Sequence, residues 1–133
     1  MKNKGFTLIE LLIIIAIIAI LAAGVIIAVN PGKQFKEARN TTRWSHMNAI
    51  ANAVYTYAIE HQGNYPPCIP AYPSKVNVED CADDLVPDYI SSIPKDPQSE
   101  NGYYYEIGFD NAEQNRIKIT STAPEAAGIE VIR

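Results

Sequence analysis

The hydrophobic residues of this chain are concentrated near its N-terminus. Across residues 6–29, 21 of 24 positions are apolar, and the exceptions are Thr7, Glu10 and Gly24. From residue 30 to residue 133 only 41 of 104 positions are apolar. About 20 helical residues cross the ~30 Å hydrocarbon core of a bilayer, and 104 residues could hardly cover so apolar a helix. The pattern therefore predicts a membrane-spanning helix followed by one small polar domain.

A second helix is predicted from residue 33 to residue 61. Its apolar residues recur at steps of three and four, which is the period of an amphipathic helix. They are Phe35, Ala38, Met47, Ile50, Ala51, Val54, Tyr57 and Ala58. The segment Asn30-Pro31-Gly32 should kink or loosen the helix before it, because proline removes a backbone donor. Gly63 is expected to cap its C-terminus.

The remainder of the chain predicts a small antiparallel sheet. Residues 63–97 hold seven of the nine prolines, which indicates irregular loop with one short helical turn at residues 82–85. The predicted strands are residues 103–109, 116–120 and 128–132, with a turn at residues 110–115. A sheet of this size would cover the apolar stripe of the second helix. The predicted class is α+β, with a long N-terminal helix packed on a small antiparallel sheet.

The charge distribution narrows the possible functions. The net charge is −4, but residues 33–60 sum to +2 and residues 61–133 to −7. An acidic domain argues against nucleic-acid binding, which requires a basic face. No nucleophile has an evident histidine partner, so we predict no enzyme, no catalytic residue and no cofactor.

Glu10 is the one charge within the apolar segment. A carboxylate in the hydrocarbon zone costs roughly 2.5–3.5 kcal/mol at the helix centre and less near the interface. A secretory signal peptide would have a shorter apolar stretch, and a plain membrane anchor gives no reason for a glutamate. Two alternatives remain for Glu10: it lies near the headgroups and stays hydrated, or it is a functional carboxylate with a cationic partner.

The start of the chain resembles a type IV prepilin. A leader containing Lys2 and Lys4 precedes Gly5-Phe6-Thr7-Leu8-Ile9-Glu10-Leu11-Leu12, and the apolar run follows. The family includes the pseudopilins of type II secretion and of DNA-uptake machines. The run Ile93-Pro94-Lys95-Asp96-Pro97 is similar to the Pro-Asp-Pro turn that leads into the first strand of pilins and major pseudopilins.

The resemblance implies a processing pathway. A membrane prepilin peptidase would cleave between Gly5 and Phe6, and Phe6 would then be N-methylated. The implied domains are a leader at residues 1–5, a membrane and filament-core helix at residues 6–32, and a globular domain at residues 33–133. Glu10 would neutralise the N-terminal amine of an adjacent subunit during assembly.

The resemblance also implies a function and a location. The chain would be a structural subunit of a type IV pilus-like filament, used for adhesion, motility or surface attachment. The alternatives are a pseudopilin of a secretion or DNA-uptake machine, and a membrane-anchored binding protein that does not polymerise. Expected partners are the peptidase, copies of the chain, the assembly machinery and inner-membrane lipids. The precursor would span the membrane once, and the globular domain would end in an extracellular or periplasmic filament.

Three basic residues share one side of the second helix: Lys36, Arg39 and Arg43. They would contact lipid headgroups or pair with the acidic domain of a neighbouring subunit. Asn40-Thr41-Thr42 matches a glycosylation acceptor, although a single triplet is weak evidence.

Two cysteines lie in the proline-rich segment. Cys68 and Cys81 could form a disulfide, remain as free thiols or supply half of a metal site. The histidines, His46 and His61, are too few and no Cys-x-x-Cys spacing occurs, so no metal is predicted. Export favours the disulfide, which would close a loop in a domain with a thin core.

Overall fold

The computed structural model of the protein describes residues 5–133, apart from the side chains of residues 27–29. The chain divides into two compact units, Met1–Lys36 and Glu37–Arg133. Helix α1 is Leu8–Val29, with Thr7 as its N-cap. It ends at Asn30, whose φ of 41° is left-handed. Helix α2, Pro31–Glu60, begins immediately afterwards, so the predicted interruption of the helix falls at Asn30.

The C-terminal end of α2 is closed by a left-handed turn. Gln62 and Gly63 have φ values of 59° and 90°, a region that glycine enters without steric cost. The Gly63 N–H donates to the Ala58 carbonyl at 2.7 Å, which satisfies one of the free carbonyls of the last helical turn. The predicted glycine cap is confirmed.

The globular unit carries a four-stranded antiparallel sheet in the order β1-β2-β3-β4. The strands are β1, Lys75–Asn77; β2, Tyr105–Phe109; β3, Ile117–Ser121; and β4, Glu130–Ile132. The three predicted strands correspond to β2, β3 and β4, with ends shifted by one or two residues. Strand β1 was missed, and it pairs with β2 in the register that sets Val76 opposite Ile107.

The core lies between the buried side of α2 and one face of the sheet. In strand β2 the side chains of Tyr105, Ile107 and Phe109 are buried, as expected for the face of the sheet that covers α2. The buried positions of α2 recur at helical spacing and are Arg43, Met47, Ile50, Ala51, Ala53, Val54 and Ala58. Tyrosines supply much of the remaining apolar surface: Tyr55, Tyr57, Tyr65 and Tyr89 pack against the core. The predicted α+β architecture is confirmed, although Phe35 and Ala38 are exposed.

The long connection between α2 and β2 is mostly irregular. It contains β1, a 3₁₀ helix at Val78–Cys81 and helix α3 at Ala82–Leu85. The short helical turn predicted from the sequence coincides with α3. Four side chains of this connection are buried in the core: Ile69, Val78, Cys81 and Leu85.

Candidate processing and assembly site

The bond between Gly5 and Phe6 lies in an exposed segment just before α1. Phe6 is 79% exposed, and both residues precede the N-cap Thr7. A Cβ added at Gly5 would meet no described atom within 4 Å. Packing against the described atoms therefore does not require a glycine at this position. The predicted leader residues 1–4 lie outside the described residues.

Thr7 and Glu10 form a capping box at the start of α1. The Thr7 N–H and hydroxyl donate to Oε2 of Glu10 at 2.9 and 2.8 Å, and the Glu10 N–H donates to the Thr7 hydroxyl at 3.3 Å. The box satisfies two donors that a helix N-terminus otherwise leaves free. It also gives the carboxylate hydrogen bonds within its own chain.

The capping box was not predicted, although the sequence carries its signal. Thr7 and Glu10 are three residues apart, which is the Thr-x-x-Glu spacing of this motif. Sequence reasoning considered only the charge of Glu10 and overlooked its capacity to accept hydrogen bonds. In an apolar solvent this capacity matters, because an unpaired polar group is costly there.

Apart from Glu10 and Gly24, residues 8–26 of α1 carry apolar side chains, and all of residues 8–26 are exposed. Residues Leu8–Ile26 have a mean hydropathy of 3.0, and this one helix in the described part of the chain is long and apolar enough to cross a membrane. Large side chains along it are strongly exposed, among them Leu8 at 82% and Ile20 at 72%. Surface of this kind is stable only against lipid or another apolar surface.

Comparison with protein families identifies this N-terminal segment. Residues 1–26 match the family model described as the prokaryotic N-terminal methylation motif. The chain carries the prepilin signature of type IV pilins and pseudopilins. Comparisons of the chain with curated proteins and with solved structures gave no match. The motif and the apolar helix fit a membrane-anchored precursor that a prepilin peptidase processes.

The globular unit contains a partly buried ion-pair network, which we call the arginine network: Arg39, Arg43, Asp96 and Glu125. Arg43 forms a two-point ion pair with Asp96, Nε to Oδ2 at 2.8 Å and Nη2 to Oδ1 at 2.9 Å. Its Nη1 donates to Glu125 at 2.6 Å. Arg39 also binds both oxygens of Glu125, at 2.6 and 2.7 Å.

These contacts set the protonation states of the network. The hydrogen bonds from Arg39, followed by those from Arg43, lower the pKa of Glu125 to about 2. Burial acts to raise the pKa of Asp96, but the hydrogen bonds from Arg43, the Gln98 backbone and Ser121 outweigh it and lower that pKa. The hydrogen bond to Asp96 raises the pKa of Arg43, so all four side chains are charged at neutral pH.

The arginine network corrects the prediction for one basic residue of α2. Arg43 is completely buried and is therefore not available to lipid or a neighbouring subunit. Arg39 pairs with Glu125 but keeps 32% of its side chain exposed, so its predicted contact stays a prediction. The signal that was overlooked is position: Arg43 lies four residues before Met47, on the buried stripe of α2. Lys36 is exposed, and its predicted contact with lipid or a neighbour stays a prediction.

The glycosylation triplet is also engaged within the fold. Asn40 lies inside α2, and its Nδ2 donates to the Glu125 carbonyl at 3.1 Å while its Oδ1 accepts from Arg43. A glycan on Nδ2 would remove a donor from this half-buried contact. The structure argues against use of this triplet as a glycan acceptor.

Cys68 and Cys81 are joined in a disulfide, with a Cα–Cα distance of 5.3 Å. Cys81 is fully buried at the end of the 3₁₀ helix, and Cys68 packs against the core. The bond therefore ties the proline-rich loop to the core. Within residues 5–133, no three His, Cys, Asp or Glu side chains come together in a group that could hold a metal ion.

Proposed function

We propose that the chain is a structural subunit of a type IV pilus-like filament. In this proposal the peptidase removes residues 1–5, residues 6–32 form the filament core and residues 33–133 form the globular domain outside it. The methylation motif on an exposed apolar helix carries the proposal. Parallel helices would bury in the fibre the surface that lipid covers in the precursor.

We propose that Glu10 sets the axial register between neighbouring subunits of the filament. Cleavage of the Gly5–Phe6 bond creates an ammonium at Phe6, which methylation leaves cationic. A carboxylate in an apolar fibre core needs such a cation, since mismatched axial register would leave both charges buried and unpaired. Assembly is therefore favoured only where the Phe6 amine of one subunit reaches Glu10 of the next.

Two variants of Glu10 separate charge from capping. Glu10→Gln keeps a side chain that can complete the capping box, whereas Glu10→Ala removes both functions. We expect both variants to enter the membrane and to be cleaved, and both to lose fibres, because neither offers a negative charge. Normal fibre yield from Glu10→Gln would contradict the register role.

The decisive observation is the state of the N-terminus in fibres. Electron microscopy and mass analysis of sheared surface fibres should show a mature chain of 128 residues, 133 minus the leader of five, beginning with methylated Phe6. Methylated subunits without surface fibres would favour the pseudopilin alternative, in which a short filament acts in secretion or DNA uptake. A chain that retains Met1 would favour a membrane-anchored binding protein and contradict both filament functions.

A further inference from the structure

The Glu10 carboxylate uses only one of its oxygens in the capping box. Both hydrogen bonds that it accepts, from the N–H and from the hydroxyl of Thr7, end on Oε2. Within residues 5–133 no hydrogen bond reaches Oε1. Thr7 thus fixes the carboxylate at two points and leaves the second oxygen open.

We propose that Thr7 is a positioning residue for filament assembly. It holds Glu10 through Oε2 so that Oε1 accepts the methylated N-terminal amine of a second copy of the chain. This inference rests on the proposed function of Glu10 in the filament. It adds a separate claim, namely that the hydroxyl of Thr7 is needed for that pairing.

Two physical effects support the claim. A glutamate side chain that is free to rotate loses conformational entropy when it pairs, and a side chain already fixed by Thr7 has lost most of it beforehand. In addition, a carboxylate buried in an apolar core is stable only when both oxygens are bonded. Thr7 donates to Oε2 within the chain. One ammonium from a neighbouring chain can then donate a charge-assisted hydrogen bond to Oε1, so that both oxygens are bonded.

The test compares two replacements of Thr7 in the full-length chain, made in cells that assemble the fibre. Thr7→Ser retains the hydroxyl, whereas Thr7→Val retains the branched shape and loses it. The fibre yield is divided by the amount of cleaved subunit, which is determined from the N-terminal mass. A change in cleavage by the peptidase then does not affect the comparison. We expect about a fivefold loss of fibre for Thr7→Val, which corresponds to the loss of one hydrogen bond, from the Thr7 hydroxyl to Glu10. Thr7→Ser should stay within about twofold of the unmodified chain, because serine caps as well as threonine.

The outcomes distinguish this inference from the proposed function. Wild-type fibre yield from Thr7→Val, while Glu10→Gln yields none, would overturn the role of Thr7 and leave the role of Glu10 standing. Normal yield from Glu10→Gln would remove the register role itself. Circular dichroism of the cleaved chain in detergent provides the remaining control. A loss of helix that parallels the loss of fibre would overturn the inference, because Thr7 would then act on α1 as a whole.

Discussion

The guanidinium of Arg43 lies against the carboxylate of Asp96, with two parallel hydrogen bonds of 2.8 and 2.9 Å and no solvent access to either side chain. An arginine on α2 is thereby fixed to the loop that precedes β2. Burial of an ion pair is not in itself strongly stabilising, because both ions lose their hydration. Removal of one partner is strongly destabilising, because it leaves the other charge buried and without a counter-ion.

Replacement of Arg43 should therefore strongly destabilise the globular unit. We expect Arg43→Met to lower the free energy of unfolding by about 3–5 kcal/mol, because Asp96 would remain buried without a cation. Urea unfolding of the full chain in detergent measures the change. The matched control is Arg116→Met, since the Arg116 side chain pairs with Asp110 at 2.6 Å but is 55% exposed. That change should cost less than about 1 kcal/mol, and equal losses in the two variants would contradict the prediction.

The arginine network also predicts a loss of stability in acid. The pKa of Glu125 falls from its ordinary 4.5 to about 2 in the folded chain, so folding favours its charged form. This stabilisation is present above pH 4.5 and is lost as the pH falls from about 4.5 to about 2. The slope of melting temperature against pH in this interval should be shallower in Glu125→Gln. The exposed Glu100→Gln serves as the control and should keep the slope of the unmodified chain. A slope unchanged by Glu125→Gln would show that other groups cause the acid transition.

Loss of the disulfide should destabilise the globular unit without changing its fold. The bond closes a loop between cysteines 13 residues apart, which corresponds to roughly 3 kcal/mol in the chain-entropy estimate. We expect the double variant Cys68→Ala/Cys81→Ala to lower the unfolding free energy by about this amount. Alkylation of the unfolded, unreduced chain checks the bond directly. Modification of both thiols before reduction would show that the disulfide is not formed.

A side chain at position 108 is expected to destabilise the sheet. A Cβ at this position would lie 2.6 Å from the Ser74 carbonyl oxygen, because β1 passes close to β2 there and pairs Lys75 with Gly108. We expect Gly108→Ala to displace β1 and to cost about 1–3 kcal/mol, as overpacking usually does. Gly24→Ala is the comparison, since a Cβ at Gly24 meets nothing within 4 Å. Equal thermal stability of the two variants would argue against the close approach of β1.

Hydrophobic pattern alone was sufficient for most of the secondary structure. Helix α1 follows from its continuous apolar run, and α2 and the three strands β2–β4 follow from the periodicity of their apolar residues. Strand β1 has three residues, Lys75–Asn77, and lies in a proline-rich segment. Three residues carry no detectable period, and what makes β1 a strand is its pairing with β2, about thirty residues later in the chain.

The side-chain networks were less accessible to sequence reasoning. Arg43 meets Asp96 and Glu125 at separations of 53 and 82 residues, and no local signal indicates which acids an arginine will meet. Its charge favoured an exposed position, whereas its place on the stripe of α2 favoured burial, and the second tendency prevailed. The capping box is the opposite case, because Thr7 and Glu10 are neighbours in the sequence and their spacing was sufficient to predict the contact.

The arginine network has a consequence for the order in which the chain is made. Arg43 belongs to the first half of the chain, and Glu125 lies only eight residues before the last residue of this sequence. A growing or truncated chain that lacks the segment around Glu125 leaves Arg39 without its carboxylate and Arg43 with only one of two. The arginine network can therefore form only after the segment around Glu125 has been made, and until then α2 carries arginines without their full set of carboxylates.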